Sequence, residues 1–245
     1  MRQCVFCHRD IETKASREHV IPKWVRKLYP KGAVFTLTRR DGGSFQSKTI
    51  DITINTVCKD CNNHWMSDLE ARSSPIVGPM LKGVTQGLSV EQQALVSTWA
   101  TKTAMTLDQT YPASEQVFAP ALCKLLMEHQ LPSPGVIVHF GRYVGDGAFL
   151  AIAHNDLYRR AIPPGTRPRP PDASRSFVRL DQLIVEVTVT QDAKLDLRAT
   201  GRDINDMIIK IWPSAVPVAW PPRLVHGDQS WEAYVNPTLP DAPHQ

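Results

Sequence analysis

Residues 58–63 read CKDCNN and residues 4–7 read CVFC, so the chain contains two Cys-x-x-Cys pairs, while Cys123 stands apart from both. Four thiolates from two such pairs can surround one Zn²⁺ as a tetrahedron, and a closed four-sulfur shell serves structure rather than catalysis. Buried free cysteines are the alternative, although they would not require matched pairs. The sequence therefore predicts a structural zinc ion bound by four residues: Cys4, Cys7, Cys58 and Cys61.

The composition is that of a globular chain and leaves the class of partner open. The 245 residues are 42% hydrophobic, which is enough for a core of ordinary size. The formal net charge of +4 permits contact with phosphates but does not indicate it. Because neither a secretory signal nor a long apolar run is visible, we expect a cytoplasmic protein that does not enter a membrane. In that reducing compartment, paired cysteines more often hold metal than form disulfides.

Three polar residues stand close to the cysteine pairs in the sequence: Glu18, His19 and Asn62. A phosphodiesterase needs a base that deprotonates water, a metal ion on the scissile phosphate, and groups that hold this metal. An imidazole suits the first task because its unperturbed pKa is about 6.5. Carboxylate and amide oxygens are hard ligands that suit Mg²⁺. The ordinary alternatives are a salt bridge from Glu18 to Arg17 or Lys23, and a helix cap by Asn62.

Three stretches together resemble the HNH (ββα-metal) endonuclease superfamily, in its zinc-stapled branch with two Cys-x-x-Cys pairs. They are CVFC at residues 4–7, REHVIP at residues 17–22, and NTVCKDCNN at residues 55–63. Residues 61–70 also look like a subgroup of bacterial and phage proteins within that superfamily. Two features depart from the pattern of the family: a Glu precedes the histidine where Asp or His is commoner, and the gap before the second cysteine pair is long.

This resemblance implies a metal-dependent endonuclease that hydrolyses phosphodiester bonds, with DNA expected as the nucleic acid rather than RNA. It implies that Glu18 and Asn62 hold a catalytic Mg²⁺ or Mn²⁺ and that His19 is the general base. Asn55 corresponds to the asparagine that pins the loop backbone in the family. The other residues assigned to the site are His64 and Arg17, as supporting groups, and Lys23, Arg26 and Lys27, as contacts to flanking phosphates.

The order of motifs and patterns predicts an α+β protein in three parts. Residues 1–75 form the ββα-metal zinc module, residues 76–130 a helical connector, and residues 131–245 a mainly antiparallel β domain of unknown role. Within the first part, we expect a short helix over residues 22–29. We also expect a β-hairpin of residues 33–39 and 48–54, because apolar and polar residues alternate on both sides of a glycine-containing turn.

The connector and the C-terminal part have signals of their own. Ser89 followed by Gln92 predicts a capping box that begins a helix over residues 89–110, and Pro120 opens a further short helix. Beyond residue 135, apolar and β-branched runs predict four strands, at residues 136–140, 148–153, 183–189 and 207–212.

Two other functions fit the same sequence. A zinc-knuckle module that binds nucleic acid without cutting it would also hold zinc and present a basic face. A purely structural or partner-binding role rests only on the C-terminal half. The sequence does not indicate the oligomeric state, the target sequence or the biological role.

Overall fold

The computed structural model describes residues 2–11, 16–38, 44–113, 115–158, 173–190 and 206–235, so residues 40–43 of the hairpin turn predicted at residues 40–44 lie outside the described residues. The strands are β1 (Glu18–His19), β2 (Phe35–Thr38), β3 (Ser44–Ser47), β4 (Thr53–Ile54), β5 (Gln86–Leu88), β6 (Val136–Arg142), β7 (Leu150–Tyr158), β8 (Ala173–Leu180), β9 (Leu183–Thr190), β10 (Ile208–Trp212) and β11 (Val218–Trp220). The helices are α1 (Lys23–Lys27), α2 (Lys59–Cys61), α3 (Ser67–Leu81), α4 (Val90–Asp108), α5 (Pro120–His129) and α6 (Asp228–Val235), with a π-helical turn (Asn62–Met66) joining α2 to α3. Among the helices of these ranges, none is long and apolar enough to span a bilayer.

Seven of the described strands form one sheet in the order β10-β6-β9-β8-β7-β2-β3. Its neighbouring strands are antiparallel, except that β2 runs parallel to β7. The antiparallel character predicted for the C-terminal part is therefore confirmed, and β6, β7, β9 and β10 occupy the four predicted positions. β8, which lies in the middle of the sheet, was not predicted from the sequence. Its apolar run is interrupted by Arg175 and Arg179, which weakened the strand signal.

The predicted hairpin forms with a different second strand. β2 pairs with β3, whereas residues 48–54 were predicted as its partner. Thr53 and Ile54 pair instead with β1. The isoleucines that suggested the hairpin strand, Ile50 and Ile54, are buried in the core. Their alternation therefore reflects burial beside β1 rather than pairing with β2.

β2 and β3 lie within residues 1–75, yet β2 also pairs with β7 at Leu37 and Leu150. The hairpin thus extends the sheet that the C-terminal strands build. One hydrophobic cluster likewise runs from Cys4 through α4 to Trp220. The division of the chain at residue 75 stays a prediction, and the described strands and core cross it.

β1 and β4 form a separate antiparallel pair, in which Glu18 faces Ile54 and His19 faces Thr53. A long helical segment of α2, the π-helical turn and α3 follows this pair in the chain. This helical segment continues through Pro75, although proline lacks the backbone N–H that would bond to the carbonyl of Ala71. The Ser74 hydroxyl donates to that carbonyl instead, at 3.3 Å. The segment thereby reaches Leu81 as one helix packed against α4.

α4 is the central helix of the core, and every residue from Val96 to Asp108 is buried. The predicted capping box at its start is confirmed. The Ser89 hydroxyl accepts from the N–H of Gln92 at 3.2 Å, and the Gln92 side chain accepts from the N–H of Ser89 at 2.9 Å. The short helix predicted at Pro120 is confirmed as α5.

Ser89→Ala is expected to lower the free energy of unfolding by about 1 kcal/mol, because the first turn of α4 loses an acceptor for a backbone N–H. Urea denaturation followed by circular dichroism measures this change. Ser67→Ala is the matched control, since Ser67 is exposed inside the helical segment. Equal unfolding midpoints for both variants would show that the capping box does not stabilise α4.

Candidate metal centre and adjoining polar site

The two cysteine pairs meet in the folded chain. The Sγ atoms of the four residues all lie within 4.8 Å of one another, and those of Cys7 and Cys58 are 3.7 Å apart. Four sulfurs placed about 2.3 Å from a zinc ion at the corners of a tetrahedron are separated by about 3.8 Å, whereas a disulfide needs about 2.05 Å. The cysteines are free thiols at a spacing that fits one structural zinc ion.

The backbone around the cluster points donors at the sulfurs. The N–H of Cys58 donates to Cys4 Sγ, and the N–H of Cys61 donates to Cys58 Sγ, each at 3.4 Å. His8 closes the first turn with a φ of 57°, and its N–H donates to the carbonyl of Cys4 at 2.9 Å. Hydrogen bonds to an ionised acceptor are stronger than those between neutral groups. The turns are therefore suited to thiolates.

Because the four sulfurs lie close together, contacts among these thiols change their pKa values in opposite directions. A hydrogen bond from Cys61 lowers the pKa of Cys4, and the same contact raises the pKa of Cys61. Zinc requires thiolates, so zinc binding displaces the remaining protons from the cluster. The fifth cysteine, Cys123, is buried in α5, where burial raises its pKa to about 12. It remains outside the four-sulfur group.

His19 lies on β1 with 19% of its side chain exposed, and its Nε2 atom is 3.8 Å from Oδ1 of Asp51. Partial burial, followed by the positive charge of Lys23, lowers the pKa of His19. The neutral imidazole therefore predominates at neutral pH, which is the form that a general base requires. Its catalytic role stays a prediction.

Glu18 points into the core beside Lys102 of α4. The Lys102 Nζ atom is 3.5 Å from Oε1 of Glu18 and 2.8 Å from Oε1 of Glu70 in α3. Burial raises the pKa of Glu18, and the charge of Lys102 opposes that change. Glu18 therefore forms its salt bridge with Lys102. Arg17 and Lys23, the two partners considered from the sequence, are exposed.

Lys102 and Glu70 were not predicted from the sequence as residues of this site. The available signal was the place of Lys102 inside the helix predicted over residues 89–110, two positions from the apolar residues Ala100 and Ala104. A lysine inside a buried helix needs a carboxylate partner. The sequence alone does not say which carboxylate reaches it, because Glu18 is 84 positions away and Glu70 is 32.

Asn62 begins the π-helical turn and is half-buried. Its Nδ2 group donates to the hydroxyl of Ser16, which stands two residues before Glu18. The structure thereby brings Asn62 to the entry of β1. The alternative of a helix cap by Asn62 is wrong, because Cys58 is the N-cap of α2 and its Sγ accepts from the N–H of Cys61. Metal binding by Asn62 stays a prediction.

The two other polar residues named from the family pattern are exposed. Asn55 follows β4, and its carbonyl accepts from Nη1 of Arg2 at 3.1 Å. His64 turns back along its own helix, where Nδ1 lies 2.9 Å from both the carbonyl and the carboxylate of Asp60. Their supporting roles remain predictions.

The basic residues near β1 differ in what they contact. Arg26 donates from Nη1 to the carbonyls of Tyr29 and Pro30, each at 3.1 Å, so it closes the end of α1. Lys23 and Lys27 are exposed on the same helix. Arg26 thus has a structural task, whereas the other two side chains are accessible to a polyanion. Phosphate contacts by all three remain predictions.

No protein-family model, curated protein or solved structure matches this chain. Its fold and its cysteine cluster define it as a mixed α/β protein with an antiparallel-rich sheet and four cysteines at a spacing that fits structural zinc.

Proposed function

We propose that this chain is a metal-dependent endonuclease of the HNH type that hydrolyses phosphodiester bonds of nucleic acid, with DNA as the expected substrate. One observation carries the proposal: the second cysteine pair begins the helical segment just after the β1–β4 pair, and it lies with the first cysteine pair in the four-cysteine cluster. This order of two strands and a helix has Glu18 and His19 on the first strand and Asn62 on the helical segment.

Glu18 and Asn62 would hold the catalytic cation of this proposal through their side-chain oxygens. A carboxylate and an amide oxygen are hard ligands of the kind that Mg²⁺ and Mn²⁺ take. The hydrogen bond from Asn62 Nδ2 to Ser16 orients the amide, whose oxygen is the atom that would bind the cation. When bound, such a cation supplies positive charge that stabilises the phosphate and the departing 3′ oxygen.

His19 is the base in the proposed reaction. Its neutral ring takes a proton from a water molecule, and the water oxygen then forms a bond to phosphorus while the bond from phosphorus to the 3′ oxygen breaks. The partial exposure of His19 gives water access to the ring. Lys23 and Arg17 are exposed and lower the pKa of His19 through their positive charge, so their side chains are suited to attract the phosphate backbone towards it.

The proposal predicts that zinc-loaded protein converts supercoiled plasmid to the nicked form when Mg²⁺ or Mn²⁺ is added, and that a chelator of these cations stops the reaction. Agarose gels with plasmid, branched, duplex and single-stranded DNA, and with RNA, measure the activity and the preferred form. Failure to cut any of these substrates with either metal would contradict the proposal.

A second candidate is a zinc-knuckle protein that binds nucleic acid without cutting it. The burial of Glu18 and its ion pair with Lys102 favour this candidate, because such a carboxylate can be purely structural. The binding protein would retard DNA in gels equally with and without Mg²⁺ and would leave every substrate intact. Zinc content does not separate the two candidates, since both contain the cluster.

A further inference from the structure

Lys102 is the most deeply buried charged group next to the proposed nuclease site. Its side chain has no solvent exposure and projects from the central helix of the core. Burial of an ammonium group is unfavourable unless carboxylates compensate it. Glu18 and Glu70 provide that compensation at 3.5 and 2.8 Å. Lys102 on α4 therefore forms ion pairs with one residue of β1 and one residue of α3.

Glu70 lies on the same side of its helix as Asn62. An α-helix needs about seven residues for two turns, and a π-helical turn takes one residue more. The step from Asn62 to Glu70 is eight residues and includes the π-helical turn at Asn62–Met66. The two side chains therefore project in about the same direction, towards β1. Ser16 and Glu18 are their respective neighbours there.

The charges of this group do not cancel. Two carboxylates and one ammonium leave a single negative charge, where the two carboxylates alone would leave two. A divalent cation beside them brings the group to one positive charge, which attracts the negative phosphate of a nucleic acid. Without the lysine, the same cation would neutralise the group and leave no attraction for phosphate.

We propose that Lys102 is a positioning residue of the nuclease site: it holds Glu18 and Glu70 in place and keeps divalent-cation binding weak until a phosphodiester binds too. This inference rests on the proposed function. Glu70 becomes a further acidic residue of the site, connected to Glu18 through the Lys102 ammonium. The arrangement couples metal binding to nucleic-acid binding.

The test compares Mn²⁺ binding by zinc-loaded wild type and Lys102→Met, with free Mn²⁺ measured by electron paramagnetic resonance and without any turnover. Methionine keeps an unbranched side chain and removes the positive charge. We expect Lys102→Met to bind Mn²⁺ roughly tenfold more tightly, because a repelling unit charge is lost. Lys124→Met is the matched control, since Lys124 forms an exposed pair with Glu128 at 3.7 Å on α5; its Mn²⁺ affinity should equal that of wild type.

A short DNA duplex tests the coupling. In the His19→Ala background, which prevents cutting under the proposed mechanism, the duplex should tighten Mn²⁺ binding when Lys102 is present. It should tighten binding less when Lys102→Met is added. Lys102→Arg keeps the charge and should restore the coupling. A lysine with a purely structural role would leave the effect of DNA on Mn²⁺ affinity unchanged.

A second variant covers the case in which Lys102→Met does not fold. Glu70→Gln leaves Lys102 paired with Glu18 and should weaken Mn²⁺ binding roughly tenfold while one zinc per chain is retained. Unchanged Mn²⁺ affinity in Glu70→Gln, or unchanged or weaker affinity in folded Lys102→Met, would overturn this inference alone if wild type binds Mn²⁺ and nicks DNA. Wild type that binds no Mn²⁺ beyond its zinc site would overturn both the inference and the proposed function.

Discussion

His19→Ala is expected to reduce Mg²⁺- or Mn²⁺-dependent nicking by at least about 100-fold, because general-base catalysis contributes roughly 10²–10⁴ in rate. The side chain lies on a two-residue strand and is partly exposed, so its loss removes little packing. Zinc content and the melting temperature should stay close to those of wild type. Initial nicking rates at saturating metal, with zinc counted by elemental analysis, measure both effects.

The matched control for this variant is His129→Ala. His129 is an exposed histidine in the last turn of α5, outside the proposed site. The His129→Ala variant should nick DNA at the wild-type rate. This control separates the general effect of losing an imidazole from the loss of the proposed catalytic base. Full activity of His19→Ala with zinc intact would refute the assignment of His19, whatever the source of the nicking.

The second large effect is expected from Cys61→Ser. Cys61 is 3% exposed and belongs to the cluster that joins both ends of the β1–β4 region. A hydroxyl is a poor zinc ligand compared with a thiolate, so the variant should lose its zinc ion. Because zinc binding to a structural site is also folding free energy, we expect destabilisation on the order of 5 kcal/mol. Thermal unfolding and zinc analysis of the purified variant measure the two losses.

Cys123→Ala is the control for Cys61→Ser. Cys123 is also fully buried, but it lies outside the four-cysteine group. Its replacement removes one sulfur atom from the core and should cost only about 1 kcal/mol, with one zinc ion per chain retained. If the two cysteine variants had the same zinc content and the same melting temperature, the cluster would not be a metal centre.

The two experiments address different parts of the site. Cys61→Ser acts on the folded framework, so it should remove nicking and nucleic-acid binding together. His19→Ala acts on one chemical step, so DNA binding should persist. The non-cutting zinc-knuckle candidate predicts a different result. Wild type would bind DNA, need zinc for that binding and cut no substrate, and His19→Ala would change none of these properties.

Several elements could be predicted because their signals are local. The capping box at Ser89 involves residues three positions apart, and Pro120 acts on its own first turn, so both helices begin where the sequence indicates. The cysteine pairs are equally local in their spacing. In contrast, the partner of β2 depends on which distant segment reaches its edge, and β3 and β7 occupy those positions rather than residues 48–54.

By itself, the sequence determined the four-cysteine cluster, the starts of α4 and α5, and four of the strands of the C-terminal half. Only the tertiary structure decided that Glu18 meets Lys102 and Glu70, and that Asn62 turns towards Ser16. The physical reason is the distance along the chain over which each interaction acts. Helix caps and Cys-x-x-Cys turns depend on neighbours within a few residues. Pairing of a buried charge depends instead on which carboxylates the packing of β1, α3 and α4 brings within reach of one ammonium group.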